Sequence, residues 1–272
     1  MNEWEMVQEA AKFIRETAEV PADTGIILGT GLDKLADKIE KASLIPYSSI
    51  PHFPVSTLES HPGNLITGKI GGKSVLAMQG RFHVYEGYSH QEIAFPLRVM
   101  KVLGVETLIE SNAAGGLNPL FRKGDLVIIA DHINLMSSNP LVGKNDERFG
   151  PRYPDMCNAY DRDLIEAAEK IALKERIPLK KGVLAGLTGP ALETRAEYRF
   201  LKIIGADMVC MSTIPEVIAA IHLGIKVLGI SVITDMCLPD ALHPVSIEEI
   251  INTAASAEPL LTQLLQKVII NV

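Results

Sequence analysis

Apolar residues follow two different spacings along the chain, and these spacings predict both helices and strands. Between Trp4 and Ala18, apolar positions recur every three or four residues. This spacing predicts one buried face of a helix, which Pro21 then closes. The next apolar run, residues 25–28, is short and unbroken and predicts a buried strand.

Further strands are predicted later in the chain. Gly71-Gly72 is typical of a two-residue hairpin turn, so the apolar segments 65–70 and 73–78 on either side are expected to pair. Beyond residue 100, near-continuous apolar runs predict strands that are covered on both faces. These runs are residues 107–109, 126–130, 183–187, 208–211 and 226–233.

Helix starts are marked by a serine or threonine followed three positions later by a glutamate, the pattern of a capping box. The four pairs are Ser89/Glu92, Thr194/Glu197, Thr213/Glu216 and Ser246/Glu249. The first three of these helices are expected to end at Gly104, Gly205 and Gly224. Because these helices alternate with the predicted strands, the sequence indicates an α/β fold. No linker-like change of composition interrupts it, so we expect a single domain over residues 1–272.

Composition and charge exclude several classes of function. The 272 residues carry 33 acidic and 26 basic side chains, a net charge of −7 without basic runs, which argues against a nucleic-acid or membrane surface. No apolar stretch approaches 18 residues and the N-terminus is acidic, so a cytoplasmic location is expected. Cys157, Cys210 and Cys237 lie far apart outside any CxxC pair, and the histidines lack metal-ligand spacing. The sequence therefore predicts neither a disulfide framework nor a metal site.

The first candidate chemistry is anion binding near two predicted strands. Arg81 and His83 alternate in an extended segment after residues 73–78, so both side chains can face one phosphate, although such residues also occur at solvated strand ends. Gly29-Thr30-Gly31 can bring backbone N–H groups to an anion or be an ordinary turn. It does not match a dinucleotide fingerprint, because Lys34 occupies the third glycine position. His61, in a Gly/Pro-containing turn, is either a mobile ligand or a surface histidine.

Other candidates lie where later strands end. The small residues of 111–118 permit close approach of a ligand to the backbone, or form a tight packing turn. Glu193 precedes a helix and either satisfies its N-terminus or binds a ligand, whereas Asp235 lies among apolar neighbours and needs a partner or a proton. The segment 134–158 lacks helix and strand periodicity and is expected to be functional or interfacial. Motifs of common hydrolases, metalloproteases and nucleoside triphosphatases are missing.

Eight motifs, in this order, carry a family resemblance. They are GTGL, SHPGN, QGRFHVYEGY, SNAAGGLN, NDERFG, GPALET, CMSTIPEV and SVITD. Together they closely resemble the trimeric, low-mass class of purine nucleoside phosphorylases. The resemblance implies one α/β domain built on a mixed, mostly parallel, barrel-like sheet flanked by helices. It also implies a homotrimer, inorganic phosphate as co-substrate, and no metal or organic cofactor.

The resemblance also implies roles for individual residues. Phosphate would be bound by Thr30, His61, Arg81, His83, Ala113 and Ser212; ribose by Tyr85 and Met211; and the purine by Leu192, Glu193, Val209 and Asp235. Phe149 would cover the sugar in a neighbouring subunit's site. Asp235 and His83 would be the catalytic pair, with protonated Asp235 donating a hydrogen bond to N7 of the leaving purine.

Two positions depart from the 6-oxopurine enzymes of this class. Asp235 replaces a typical asparagine, and Ile247 replaces a histidine near the ribose 5′-hydroxyl. Both resemble the methylthioadenosine phosphorylases. In contrast, an ionised Glu193 suits the N1–H group of a 6-oxopurine better than the bare N1 of adenine. We expect phosphorolysis of inosine and guanosine, with adenosine or methylthioadenosine as alternatives; a catalytically silent nucleoside-binding module is the alternative from another class.

Overall fold

A computed structural model describes residues 1–19, 22–29, 33–57 and 62–272. The helices of this part of the chain are α1 (Glu3–Thr17), α2 (His90–Val102), α3 (Arg162–Glu175), α4 (Arg195–Ile203), α5 (Ile214–His222) and α6 (Ile247–Asn271). Its strands are β1 (Thr24–Leu28), β2 (Glu40–Pro46), β3 (Asn64–Ile70), β4 (Lys73–Gln79), β5 (Thr107–Gly116), β6 (Leu126–Asn134), β7 (Leu179–Gly186), β8 (Met208–Cys210) and β9 (Lys226–Met236).

The strands form one sheet that closes on itself. Its order is β2-β3-β4-β1-β5-β8-β7-β6-β9, and an additional pairing of β9 with β5 completes a five-stranded ring. Parallel pairs join β1 to β4 and β5, β9 to β5, and β7 to β6 and β8, whereas the other pairs are antiparallel. The mixed, barrel-like α/β sheet flanked by helices is therefore confirmed.

Helices cover the sheet through apolar contacts. α6 packs on β9 and α3, α2 packs on α1 and α5, and α5 also contacts β9. Most buried apolar side chains belong to one continuous cluster that includes residues of both helices and strands. Since β5 and β9 contribute to this cluster and also reach the cavity described below, the core fixes the position of the candidate site.

Local signals at helix ends and turns explain many of these boundaries. Ser89 and Thr194 form capping boxes with Glu92 and Glu197. The Ser246 side chain accepts a hydrogen bond from the backbone N–H of Glu249 at the start of α6. Gly104, Gly205 and Gly224 all have positive φ at the predicted helix ends. The Gly71-Gly72 turn joins β3 to β4 as expected.

The capping box predicted for Thr213 and Glu216 is wrong. Thr213 makes no side-chain capping bond at the start of α5, and its φ is +70°, a strained value for a β-branched residue. Its hydroxyl instead accepts hydrogen bonds from Asn112 and Arg81, and the Glu216 carboxylate pairs with Arg81. Both residues therefore serve the candidate site rather than the helix end.

The strands β5 and β9 extend further than their apolar runs. Residues 111–116 continue β5 and pair with β9, so the predicted tight turn begins later. Asp235 likewise lies within β9 rather than after it. Strand β2 carries no clear apolar run and was not predicted. These differences have one cause. In a closed sheet, strands pair over more residues than their apolar runs alone indicate.

Candidate active site

A cavity of about 460 Å³ opens beside the C-terminal parts of β5, β8 and β9. Predicted site residues on its wall are Arg81, His83, Tyr85, Ala113, Leu192, Glu193, Val209, Met211, Asp235 and Ile247. They come from segments more than 150 positions apart in sequence, between Arg81 and Ile247. The structure thus brings together most of the side chains that the motifs singled out, and the size suits a small organic ligand.

Arg81 is a buried charged residue on the wall of this cavity, with 1% of its surface exposed. Its Nε lies 3.2 Å from Glu216 Oε1, and its Nη2 lies 3.7 Å from Glu110 Oε2. Nη1 donates hydrogen bonds to Ser212 Oγ at 3.2 Å and to Thr213 Oγ1 at 3.3 Å. This network fixes the guanidinium in a single orientation toward the cavity.

The two glutamates beside Arg81 differ in their contact with it. Glu216 Oε1 is the closer, at 3.2 Å from Nε, whereas Glu110 Oε2 lies 3.7 Å from Nη2 and neither oxygen of Glu110 has a hydrogen-bond partner. Burial raises the pKa of Glu110 well above its ordinary value, and the Glu216 carboxylate adds to the rise, whereas Arg81 opposes it. Glu110 therefore keeps its proton to a higher pH than an ordinary glutamate does.

His83 is held beside Arg81 by a carboxylate of its own. Its Nδ1 lies 2.7 Å from Glu86 Oε1, and its ring stacks on Tyr85 with 4.6 Å between centroids. Burial alone would raise the pKa of Glu86, but hydrogen bonds from His83 and Thr57 outweigh it and lower the pKa to about 2. The ionised Glu86 therefore orients the imidazole with its Nδ1 as a donor.

Two predicted ribose ligands, Tyr85 and Met211, line the same cavity. Burial and the Glu86 charge raise the pKa of Tyr85 to about 12, so its hydroxyl keeps its proton. A Cβ on Gly189 would lie 2.2 Å from Met211 Sδ, and Gly189 also has a φ of +67°. Glycine at this position thus makes room for the methionine side chain.

Two carboxylates mark the predicted purine end. Asp235 Oδ1 accepts a hydrogen bond from the Thr234 hydroxyl at 2.9 Å, and Oδ2 accepts one from the Cys237 thiol at 3.1 Å. Burial raises the pKa of Glu193, with the charges of Glu197 and Asp235 adding to the rise. Leu192 is 50% exposed, so the apolar wall beside these acids is open to solvent.

The start of α6 supplies an aliphatic wall. Ile247, Ile250 and Ile251 all line the cavity at helical spacing. Ile247 is 70% exposed, so this wall lies near the mouth of the cavity. Ile250 and Ile251 were not predicted, although the i, i+3, i+4 spacing would have indicated them.

Phe149, which was predicted to cover the sugar in a neighbouring subunit's site, makes its contacts within its own chain in this structure. Phe149 is only 6% exposed, its ring centroid lies 5.4 Å from that of Trp4, and the Arg98 guanidinium lies 5.0 Å from it. The ring therefore packs against α1 and α2 of its own chain. Within the segment 134–158, Tyr153 is exposed, with 87% of its surface accessible to solvent.

The remaining predicted phosphate ligands are Ser212, Thr30 and His61. Ser212 does not line the cavity wall but accepts a hydrogen bond from Arg81. Thr30 and His61 lie outside the described residues.

Sequence reasoning missed several residues of the site. Glu110, Tyr198 and Cys237 were not singled out as site residues, and Glu216 was assigned to a capping box. A glutamate within an otherwise apolar strand run was the one available signal for Glu110. Tyr198 and Cys237 occur in ordinary amphipathic surroundings, and only the tertiary structure places them beside Glu193 and Asp235.

Among the described residues, no group of three or more His, Cys, Asp or Glu side chains is arranged to hold a metal ion. None of the helices resolved in that part of the chain is long and apolar enough to cross a membrane.

Comparison with known proteins agrees with this geometry. A family profile described as "Phosphorylase superfamily" matches residues 23–270. Purine nucleoside phosphorylase 1 of Bacillus subtilis (strain 168) is 50% identical over 263 residues, which cover 97% of each chain. Purine nucleoside phosphorylase of Schistosoma mansoni in complex with adenosine superposes with a TM-score of 0.94 at 44% identity, covering 98% of this chain and 97% of that one. The complex of the Schistosoma mansoni enzyme with inosine superposes with a TM-score of 0.94 at 43% identity, covering 98% of this chain and 96% of that one.

Proposed function

We propose, from the premise that this chain belongs to the phosphorylase superfamily, that it catalyses the reversible phosphorolysis of purine nucleosides. The products are a free purine and α-ribose 1-phosphate or its 2′-deoxy form, so the enzyme is a pentosyltransferase. The observation that carries this proposal is the charge on the cavity wall, which holds the cation Arg81, paired with Glu216, and the acids Glu193 and Asp235 on other segments of the chain. We assign phosphate to the part of the cavity around Arg81, the phosphate end, and a base with N–H groups to the part around the two acids, the purine end.

The phosphate end positions the nucleophile. Arg81 and His83 bind phosphate on one face of the sugar, with backbone contact at Ala113 and support from Ser212. Thr30 and His61 remain proposed ligands on the strength of their motifs. Holding phosphate beside the anomeric carbon converts its attack into a nearly unimolecular step.

The purine end stabilises the leaving group. As the bond from the anomeric carbon to the base stretches, positive charge develops on the sugar and negative charge on the purine. Protonated Asp235 donates to N7, and Glu193 accepts from N1–H, while Leu192 and Val209 contact the base. Tyr85 and Met211 hold the ribose. Phosphate then captures the sugar with inversion of configuration.

Glu193 and Asp235 favour different purine bases. Ionised Glu193 suits N1–H of inosine and guanosine, which we propose as the favoured substrates. A second candidate function, phosphorolysis of 5′-methylthioadenosine, is favoured by the aliphatic wall of Ile247, Ile250 and Ile251, which suits an apolar 5′ group. An ionised Asp235 would accept a hydrogen bond from the 6-amino group of such a substrate.

One substrate panel tests these assignments. Inosine, guanosine, adenosine and 5′-methylthioadenosine are incubated with the enzyme, with and without phosphate, and the free base is measured. We expect base release only with phosphate. Release of base without phosphate, or nucleoside binding with no release at all, would reject phosphorolysis and favour hydrolysis or a silent binding module.

We also propose that the chain acts as a cytoplasmic homotrimer that uses no metal or organic cofactor. An exposed groove supports self-association, because Tyr153 and Val142 border it together with the less exposed Leu141, Met156 and Ile218. A second copy seated there would bury these apolar groups. Light scattering is expected to show a trimer, and Tyr153→Ala is expected to weaken it. A fully active monomer would reject this assembly.

A further inference from the structure

Glu110 is a buried carboxyl group that has no role in the proposed reaction. It lies within β5, has 1% of its surface exposed, and does not line the cavity. Neither of its oxygens has a hydrogen-bond partner among the described residues. A buried carboxyl group without such a partner lowers the stability of a fold, and proteins retain such groups mainly at functional sites.

Glu110 approaches the guanidinium group that we assign to phosphate. Its Oε2 lies 3.7 Å from Arg81 Nη2, whereas Glu216 Oε1 lies 3.2 Å from Arg81 Nε. Glu110 comes from β5 and Glu216 from α5, and none of the three side chains belongs to a residue that is more than 2% exposed. One guanidinium group therefore has two buried carboxyl groups beside it.

The strand that carries Glu110 also supports the rest of the phosphate end. Residues 110 and 112 are two positions apart on β5 and lie on the same face of the strand. Asn112 Nδ2 donates to Thr213 Oγ1 at 2.6 Å, and Arg81 Nη1 donates to the same oxygen at 3.3 Å. Ala113, the next residue of β5, lines the cavity. A charge on Glu110 therefore acts on side chains that surround the proposed phosphate site.

The net charge of these three side chains depends on the proton of Glu110. Arg81 always carries its charge, so the net charge is −1 when both glutamates are ionised and zero when Glu110 is protonated. In the first case an anion in the cavity meets a negative group of side chains. In the second case Glu216 and the anion share the guanidinium between them. Salt screens charges at buried sites only weakly, so this difference of one charge affects the binding of an anion.

The other titratable groups near Glu110 do not alter this count. Burial raises the pKa of Glu110 well above its ordinary value, with the Glu216 carboxylate adding to the rise and Arg81 opposing it. Tyr160 and Cys210 are the remaining groups on which the charge of Glu110 acts. Burial raises the pKa of both, that of Cys210 to about 11, so both stay uncharged in the range where carboxyl groups titrate.

We propose that phosphate binding at Arg81 is linked to protonation of Glu110, so that the site takes up one proton together with the anion. Where Glu110 of the free enzyme is ionised, its carboxylate takes a proton from solvent, one O–H bond forms, and no other bond changes. The linkage is reciprocal, because bound phosphate favours the protonated acid and loss of the proton weakens phosphate binding. This inference rests on the proposed function. Glu110 acts through Arg81 and is therefore a positioning residue.

The test uses sulfate, a tetrahedral dianion that does not itself titrate near neutral pH. Its dissociation constant is measured by calorimetry on the whole wild-type enzyme and on Glu110→Gln from about pH 5 to about pH 9. At the low end both proteins are expected to bind sulfate equally well. As wild-type Glu110 ionises, the wild-type affinity is expected to fall relative to that of the variant by up to about tenfold per pH unit, because one proton is linked to binding.

Proton uptake provides a second measurement. Calorimetry in buffers of different ionisation enthalpy counts the protons taken up with sulfate. Where the two affinities diverge, the wild-type enzyme is expected to take up as much as about one proton more than Glu110→Gln does. His83 is present in every protein compared, so its own titration cancels in this difference.

Two further variants separate the linkage from a packing role. Glu110→Leu removes the acid and leaves an apolar side chain, and it is expected to show the same sulfate profile as Glu110→Gln. Glu106→Gln is the matched control, because it replaces an exposed glutamate just before β5. It is expected to follow the wild-type enzyme at every pH.

Parallel sulfate profiles in the wild-type enzyme and both Glu110 variants would overturn the linkage, and so would equal proton uptake. The proposed function fails in a different way. If the wild-type enzyme binds neither sulfate nor phosphate, or if Arg81→Ala binds sulfate as tightly as wild type, phosphate is wrongly assigned to Arg81. Sulfate binding that depends on Arg81 but not on the proton of Glu110 rejects this inference alone.

Discussion

The two proposed ends of the cavity differ in the partners of their charged side chains. At the proposed phosphate end, Arg81 pairs with Glu216 and His83 pairs with Glu86. At the proposed purine end, Asp235 accepts hydrogen bonds from a neutral hydroxyl, that of Thr234, and a neutral thiol, that of Cys237. The first arrangement suits an anion that is the same in every turnover. The second suits bases that differ in where they carry hydrogen.

The largest expected effect is the loss of the fixed cation. Arg81→Ala removes a charge-assisted contact to phosphate and leaves Glu216 buried without its partner. We expect kcat/KM for phosphate to fall ten- to a hundredfold, about 1.5–3 kcal/mol, while nucleoside affinity changes little. Steady-state kinetics at varied phosphate measures this. Arg122→Ala, at an exposed position, is the matched control, and an unchanged phosphate dependence would contradict the assignment.

The next largest effect is on the free energy of unfolding, and it is expected to differ between the two glutamates beside Arg81. Glu216→Gln removes the closer acidic partner of the Arg81 guanidinium and is expected to lower the free energy of unfolding by about 3 kcal/mol. Glu110→Gln replaces a neutral acid by a neutral amide and is expected to change it by less than about 0.5 kcal/mol near pH 5. Denaturant titration of both variants measures the difference. Equal losses would show that Glu110 is also ionised.

The pH dependence of Glu110→Gln follows from the raised pKa of Glu110. Above the ordinary value of 4.5 the unfolded chain loses this proton while the folded chain keeps it, so wild-type stability falls as pH rises. The variant lacks this loss. Its stability relative to wild type is therefore expected to increase from pH 5 to pH 8.

A smaller effect is expected at the purine end. In Asp235→Asn, the Cys237 thiol donates to the amide oxygen, which leaves the NH2 group facing the base as a permanent donor. We expect the inosine-to-adenosine ratio of kcat/KM to rise about tenfold. If the ratio does not move, Asp235 does not contact the base.

The smallest effect concerns Glu86. Its pKa is lowered to about 2 because hydrogen bonds from His83 and Thr57 outweigh the burial that would raise it. Its contribution to stability is therefore present above the ordinary value of 4.5 and is lost as pH falls toward 2. The stability difference between wild type and Glu86→Gln is expected to shrink over that range. A difference that is constant with pH would show that the carboxylate is not ionised in the folded state.

Sequence reasoning was most successful where neighbouring residues act together. Arg81 and His83 are two positions apart on an extended segment, and the apolar runs marked most strands of the sheet. The closure of the barrel depends on the pairing of β9 with β5, which no local pattern encodes. The packing of Phe149 against α1 and α2 is a second example, because nothing in its own segment indicates these contacts.

Prediction from sequence is limited in the same way at the purine end. Glu193 and Asp235 belong to recognisable motifs, but Tyr198 and Cys237 lie on a helix and a strand end with nothing in their own segments to connect them. Contacts of this kind depend on side-chain placement after the core has packed. Sequence therefore identifies the acids of the site and not the side chains beside them.

A combined kinetic experiment tests the contrast between the two ends most directly. Arg81→Ala, Asp235→Asn and the double variant are compared for phosphate kcat/KM and for the inosine-to-adenosine ratio. The account predicts that Arg81→Ala lowers only the first, that Asp235→Asn changes only the second, and that the double variant shows both changes independently. A base ratio that shifts in Arg81→Ala as much as in Asp235→Asn would contradict the assignment of phosphate and purine to opposite ends of the cavity.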